Sequence, residues 1–174
     1  MQRYDATADM YDERYAEEQS RKYKKALEKA SVIGRAVLDV GCGSGLFLCQ
    51  VAAQAKIAVG MDVSRKLLLK AKERVGSLGN VFVLQADVDH LPFREGIFGG
   101  VFAFTVLQNM PKPAKTIGEL KRVAERGGWV VVTGLKKAFR LEDFLDVLEG
   151  SGLRLVEFVD EDAVNCYVAV LAAA

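Results

Sequence analysis

Val37-Leu38-Asp39-Val40 is an apolar run, broken by one acid, that stops at Gly41-Cys42-Gly43-Ser44-Gly45, a loop in which every second residue is glycine. Leu46 to Ala53 then reads as a helix. Strand, glycine turn and helix in that order let backbone approach a ligand closely, with helix-end N–H groups directed at it. The next apolar run, Ile57-Ala58-Val59-Gly60-Met61, ends in Asp62. An acid about 20 residues past a glycine loop, at the tip of the neighbouring strand, is placed to accept hydrogen bonds from a ribose diol. Together these residues predict a nucleoside-containing cofactor.

The dinucleotide fingerprint is G-x-G-x-x-G, whereas Gly41, Gly43 and Gly45 spell G-x-G-x-G. Asp39 also stands just before the loop, where a pyrophosphate would meet an unwelcome carboxylate. A cationic ligand bearing an amino acid would not. With that acid two residues ahead of Gly41, the stretch closely resembles motif I of class I S-adenosylmethionine-dependent methyltransferases. The resemblance covers almost the whole chain. Gly60-Met61-Asp62-Val63-Ser64 resembles the second motif, whose acid binds the ribose hydroxyls. Gln85-Ala86-Asp87-Val88-Asp89 resembles the third, which implies Asp87 and Val88 at the adenine edge. Phe98 to Gln108 resembles the fourth strand with its functional tip, and Leu120 to Gly128 the helix and turn before strand five.

The resemblance implies S-adenosylmethionine as cofactor, S-adenosylhomocysteine as product and no NAD. Its implied binding set is Asp39, Gly41, Cys42, Gly43, Gly45, Asp62, Val63, Asp87, Val88 and Thr105. Asp39 would organise the site for the methionyl amine. Cys42 also fits as a small residue in a tight turn, and Gly45 as a point of close helix packing. Gln108 and Asn109 follow strand four, where the family positions its acceptor. Adenine and glutamine N-methyltransferases carry [Asn/Asp]-Pro-Pro-[Tyr/Phe] there, and Asn109-Met110-Pro111 departs from that pattern. Tyr4 to Asp12 resembles the segment preceding the core in ubiquinone/menaquinone-type and tRNA wobble-uridine methyltransferases. There it folds as a lid, which makes Tyr11 and Tyr15 candidates for touching the cofactor, with packing of a leading helix the alternative.

The expected fold is α/β: a doubly wound, mostly parallel seven-stranded sheet with helices on both faces and an antiparallel last pair. Strands are expected at Ala36–Val40, Ile57–Met61, Val81–Leu84, Ile97–Phe104, Trp129–Thr133, Leu153–Val159 and Val164–Leu171. Helices are expected at Glu17–Ser31, Ser44 to about Ala55, Ser64–Val75, Pro113–Ala124 and Leu141–Leu148. Residues 1–33 form the leading lid segment and 34–174 the cofactor-binding core of a single domain. At 174 residues the chain suits one well-buried domain. No apolar run approaches the roughly 20 residues a membrane span needs, and the amino terminus does not look like a secretory signal. Three cysteines without C-x-x-C spacing suggest neither a disulfide framework nor a zinc site. A cytoplasmic protein without metal is expected. His90, the only histidine, falls in a turn expected under the adenine rather than beside a methyl group.

The formal net charge is only +1, but its distribution is uneven. Lys112 and Lys115 follow strand four, and Lys136, Lys137 and Arg140 follow strand five, so all five are expected on the rim of the acceptor site. Such a rim would attract phosphates. An RNA base in tRNA or rRNA is therefore the expected acceptor, with an anionic or aromatic metabolite as the alternative. A non-catalytic S-adenosylmethionine-binding subunit is a further one. Leu91 to Gln108 is also similar to ribosomal-RNA guanine methyltransferases that pair with a small zinc-binding activator, which raises an activator subunit as a partner.

Overall fold

The computed structural model describes residues 19–162 and 164–174. Tyr11, Tyr15 and most of the expected lid lie outside these residues. Seven strands form one sheet in the order β3-β2-β1-β4-β5-β7-β6. They are β1 (Ala36–Val40), β2 (Ile57–Asp62), β3 (Val81–Gln85), β4 (Phe98–Ala103), β5 (Ala124–Leu135), β6 (Arg154–Val159) and β7 (Cys166–Ala172). β1 to β5 pair in parallel. β7 inserts between β5 and β6 and runs antiparallel to both. The sheet has the expected class and strand count.

Helix α1 covers residues 19–27 among those described. It is followed by α2 (Leu46–Val51), α3 (Arg65–Val75), α4 (Pro113–Val123) and α5 (Leu141–Glu149). Side chains alternate across a strand with period two, so each central strand feeds two cores. Leu38 and Val40 join Ile117, Leu120 and Phe144 of α4 and α5 on one face. Val37 joins Tyr23 and Ala26 of α1, Phe47 and Leu48 of α2, and Val75 of α3 on the other. Asp39 follows Val37 in phase and therefore points into the face covered by α1 and α2. Tyr23, Phe47, Phe102 and Phe104 form a continuous aromatic cluster there, with ring centroids 4.7 Å apart for Tyr23–Phe104 and for Phe47–Phe102. Such pairs contribute beyond their buried area.

Two elements differ from expectation. α2 ends at Val51 rather than near Ala55, the chain continuing through hydrogen-bonded turns over residues 52–54. β5 begins at Ala124 rather than Trp129. Its pairing with β4 jumps from Phe98–Ala124 to Gly100–Trp129, and Gly127 (φ 74°) absorbs the extra residues between. α3 matches closely: Ser64 accepts the Leu67 N–H as N-cap, and Leu67, Leu68, Ala71 and Val75 make its buried stripe.

Candidate functional site

Ligands of such sheets bind beyond the carboxyl ends of the parallel strands, and the chain after each of β1 to β4 contributes to one cleft there. The loop after β1 is drawn onto the tip of β2. Gly41 and Cys42 both donate to the Met61 carbonyl, at 2.8 and 2.9 Å. Asp62 Oδ2 accepts the Gly43 N–H at 3.0 Å, and its Oδ1 accepts the Ser64 N–H at 2.8 Å. Asp62 thereby clamps the glycine loop to the start of α3. Gly41 (φ 70°) has no room for a side chain, since a Cβ there would sit 2.6 Å from Val106 Cγ2. Close approach of this kind brings the β4 tip against the loop.

Gly41, Gly43, Asp62 and Val63 line the resulting cleft on one side, and Asp87, Val88, Thr105 and Asn109 on the other. Met61, Leu67, Ala86, Phe104, Val106 and Met110 supply an apolar lining that motif reading did not single out. Asp87 caps the short 3-10 turn Val88–His90 by accepting the Asp89 N–H at 2.9 Å. His90 is largely exposed, its Nδ1 3.8 Å from Asp87 Oδ2. Gly45 (φ 83°) faces α3 instead of the cleft: a Cβ there would lie 3.2 Å from Ala71 Cβ. Its place is in helix packing.

Asp39 and Cys42 line a smaller cavity beneath the loop, with Gln19 and Tyr23 of α1 across it. Asp39 is 2 % exposed, and its Oδ2 has no hydrogen-bond partner among the described residues. Burial, and secondarily the charge of Asp62, pushes its carboxyl up to about 8. Burial likewise pushes the Cys42 thiol up, so this cysteine is an inert packing group rather than a nucleophile. Among the described residues no cluster of three or more His, Cys, Asp or Glu could hold a metal, and no helix is long and apolar enough to cross a membrane.

The tip of β4 is held by a network that sequence reasoning missed. Thr105 has φ 61°, a left-handed conformation rare for a β-branched residue. Its N–H donates to Thr133 Oγ1 at 2.7 Å. Its carbonyl accepts from Gln108 Nε2 at 2.7 Å and Asn109 Nδ2 at 3.1 Å. Gln19 Nε2 and Lys22 Nζ both reach its Oγ1 at 3.5 Å. The amides of Gln108 and Asn109 are thus engaged with the backbone, and only Asn109 lines the cleft. The one sequence signal for Thr133 was a hydroxyl ending an apolar strand. Thr133→Val, nearly isosteric, should leave the Thr105 N–H unsatisfied and cost about 1–3 kcal/mol of stability. Thr133→Ser should restore most of it. Urea unfolding of the pair checks this, and equal midpoints for the two variants would disprove the role.

The five rim cations are not equivalent. Lys136 Nζ pairs with Asp160 Oδ1 and the Glu161 carbonyl, at 2.7 and 2.9 Å, and sits 5.7 Å from the Tyr167 ring centroid. Arg140 makes a two-pronged pair with Asp143, at 2.8 and 2.9 Å. Lys112, Lys115 and Lys137 are exposed. The acidic residues after β5 therefore offset part of the basic rim.

Residues 38–132 match a family described as the methyltransferase domain. The chain is 35 % identical over 108 residues to an uncharacterized chloroplastic methyltransferase of Arabidopsis thaliana, covering 58 % of this chain and 31 % of that protein. It is 30 % identical over 111 residues to a ubiquinone biosynthesis O-methyltransferase of Thiobacillus denitrificans, covering 63 % of this chain and 48 % of the relative. The chain thus spans at most half the length of these two relatives. A solved chain from a complex with the Trm112 methyltransferase activator of Haloferax volcanii superposes with a TM-score of 0.82 at 19 % identity, over 98 % of this chain and 97 % of that one. Likeness at that identity speaks for the fold.

Proposed function

This chain belongs to the methyltransferase domain family, and from that premise we propose that it is an S-adenosylmethionine-dependent methyltransferase whose acceptor is a small molecule with an apolar or aromatic body. The observation that carries the cofactor reading is the buried Asp39 carboxyl, whose Oδ2 has no hydrogen-bond partner among the described residues, beside a cleft rimmed by Asp62 and Asp87. A buried acidic acceptor without a donor suits a ligand that brings a cation. A pyrophosphate offers it neither a cation nor a donor.

S-adenosylmethionine supplies a methyl group already activated on a sulfonium, so the protein's share is mainly alignment. Asp39 would accept the methionyl ammonium and Asp62 the ribose hydroxyls. Asp87 and Val88 would meet the adenine edge. Thr105, fixed in its unusual conformation by Thr133, Gln108 and Asn109, would set the wall past which the acceptor approaches. Gln108 and Asn109 act there as positioning residues. Val106 and Met110 line that wall with apolar surface.

Two observations favour a small acceptor over RNA. Lys136 and Arg140 are held by acids of the chain itself, which weakens the attraction for phosphates. The relative from Thiobacillus denitrificans is named for ubiquinone biosynthesis. A small activator subunit remains a proposal, supported by the superposition on a chain solved with one.

Incubating the protein with methyl-labelled S-adenosylmethionine and, separately, total RNA and a metabolite extract tests the reading. Label should enter the small-molecule fraction. Label in RNA would overturn the acceptor assignment, and binding of NAD without binding of S-adenosylhomocysteine would overturn the cofactor.

A further inference from the structure

The cavity beneath the glycine loop contains a second orphaned acceptor. Gln19 is 6 % exposed, and its Oε1, like Asp39 Oδ2, has no hydrogen-bond partner among the described residues. Both side chains line this cavity, Gln19 from α1 and Asp39 from β1. A buried acceptor left without a donor is unfavourable, and native structures rarely retain one without cause. Two on residues that line one cavity, the carboxyl being a pure acceptor once ionised, call for a ligand that donates several hydrogen bonds. An ammonium has that inventory: three N–H donors and a positive charge.

We infer that Gln19 is a cofactor-binding residue, its Oε1 and the Asp39 carboxylate together accepting the ammonium of the cofactor's amino-acid part. The inference rests on the S-adenosylmethionine reading and extends the site beyond residues 38–132, where the family match lies. The amide of Gln19 is oriented for the task. Its Nε2 reaches Thr105 Oγ1 at 3.5 Å, which turns Oε1 away from the strand tip. Thr105 itself lines the neighbouring cleft. One side chain thus links α1, the β4 tip and the cavity, and filling the cavity would tie α1 to the sheet. Lys25 Nζ makes a further tie from the same helix, 2.7 Å from Glu161 Oε1.

Three ligands that share adenosine separate this role from a structural one. S-adenosylhomocysteine carries both ammonium and carboxylate, its decarboxylated analogue the ammonium alone, and 5′-methylthioadenosine neither. Gln19→Met keeps length and bulk but removes the acceptor. Isothermal titration should show affinity for the first two ligands reduced by the same factor, at least fivefold, with 5′-methylthioadenosine changed less than twofold. The unchanged nucleoside also reports that the variant is folded. An equal loss for all three ligands, or no loss for any, overturns the role of Gln19. So does a loss for S-adenosylhomocysteine that spares the decarboxylated analogue, because Gln19 would then serve the carboxylate. If the unmodified protein binds none of the three, the cofactor reading falls and this inference with it. If it binds S-adenosylhomocysteine and Gln19→Met binds it with the same affinity, only the inference falls.

Discussion

Asp62→Ala is expected to weaken S-adenosylhomocysteine and 5′-methylthioadenosine alike, by about 30-fold to several hundred-fold, while the protein stays folded. Both ligands carry the ribose diol, which is what Asp62 is proposed to hold. Two charge-assisted hydrogen bonds are worth on the order of 2–4 kcal/mol. The carboxylate also accepts the Gly43 and Ser64 N–H groups. Removing it therefore releases the glycine loop from the β2 tip and adds to the loss. The fold should survive because Asp62 stands at the end of a strand whose core residues, Ala58 and Met61, are untouched. Asp62→Asn keeps one acceptor oxygen and should lose only about tenfold, roughly one such bond. Titration with both ligands measures this. Unchanged affinity in Asp62→Ala would reduce the residue to a cap for the loop and α3.

Much of this was legible because it depends on neighbours in sequence. The apolar run of β1, the glycines after it, and Ser64 ahead of the Leu67–Leu68–Ala71–Val75 stripe are local signals, and the elements they predict are present. What escaped depends on residues far apart. Thr105 adopts its left-handed conformation because Thr133, 28 positions later, takes its N–H, and no local propensity encodes that. Lys136 reads as part of a basic rim while its partner, Asp160, lies 24 positions later, and only the packing of the β6–β7 turn against β5 brings the pair together. Gln19 carried no motif, being one polar residue on an amphipathic helix, and its burial against β4 sets it apart. The late start expected for β5 came from counting Gly127-Gly128 as a turn, whereas the pairing with β4 passes through them.

Asp39→Asn should move stability and affinity in opposite directions. The Asp39 carboxyl ionises near 3.8 in an unfolded chain and at about 8 in the fold, raised first by burial and then by the charge of Asp62. Between about pH 4 and 8 the folded state thus binds more protons than the unfolded one, so this group makes stability fall as pH rises through that window. The asparagine variant carries no such penalty. At pH 8 it should be more stable than the original protein and melt several degrees higher. At pH 4 the two should melt together. Binding should change the other way. Without an anion to meet the ligand's ammonium, affinity for S-adenosylhomocysteine at pH 8 should drop by about 100-fold, with 5′-methylthioadenosine little affected. In the original protein the incoming cation favours the ionised carboxylate, so binding at pH 7 should release close to one proton. Titration in buffers of different ionisation enthalpy measures that release, and the variant should show none. A variant no more stable than the original at pH 8, together with binding that releases no proton, would show that Asp39 is not the cation's partner. The opposed changes follow from one fact: a carboxylate kept dry and unpartnered weakens the fold until a ligand supplies its counter-charge.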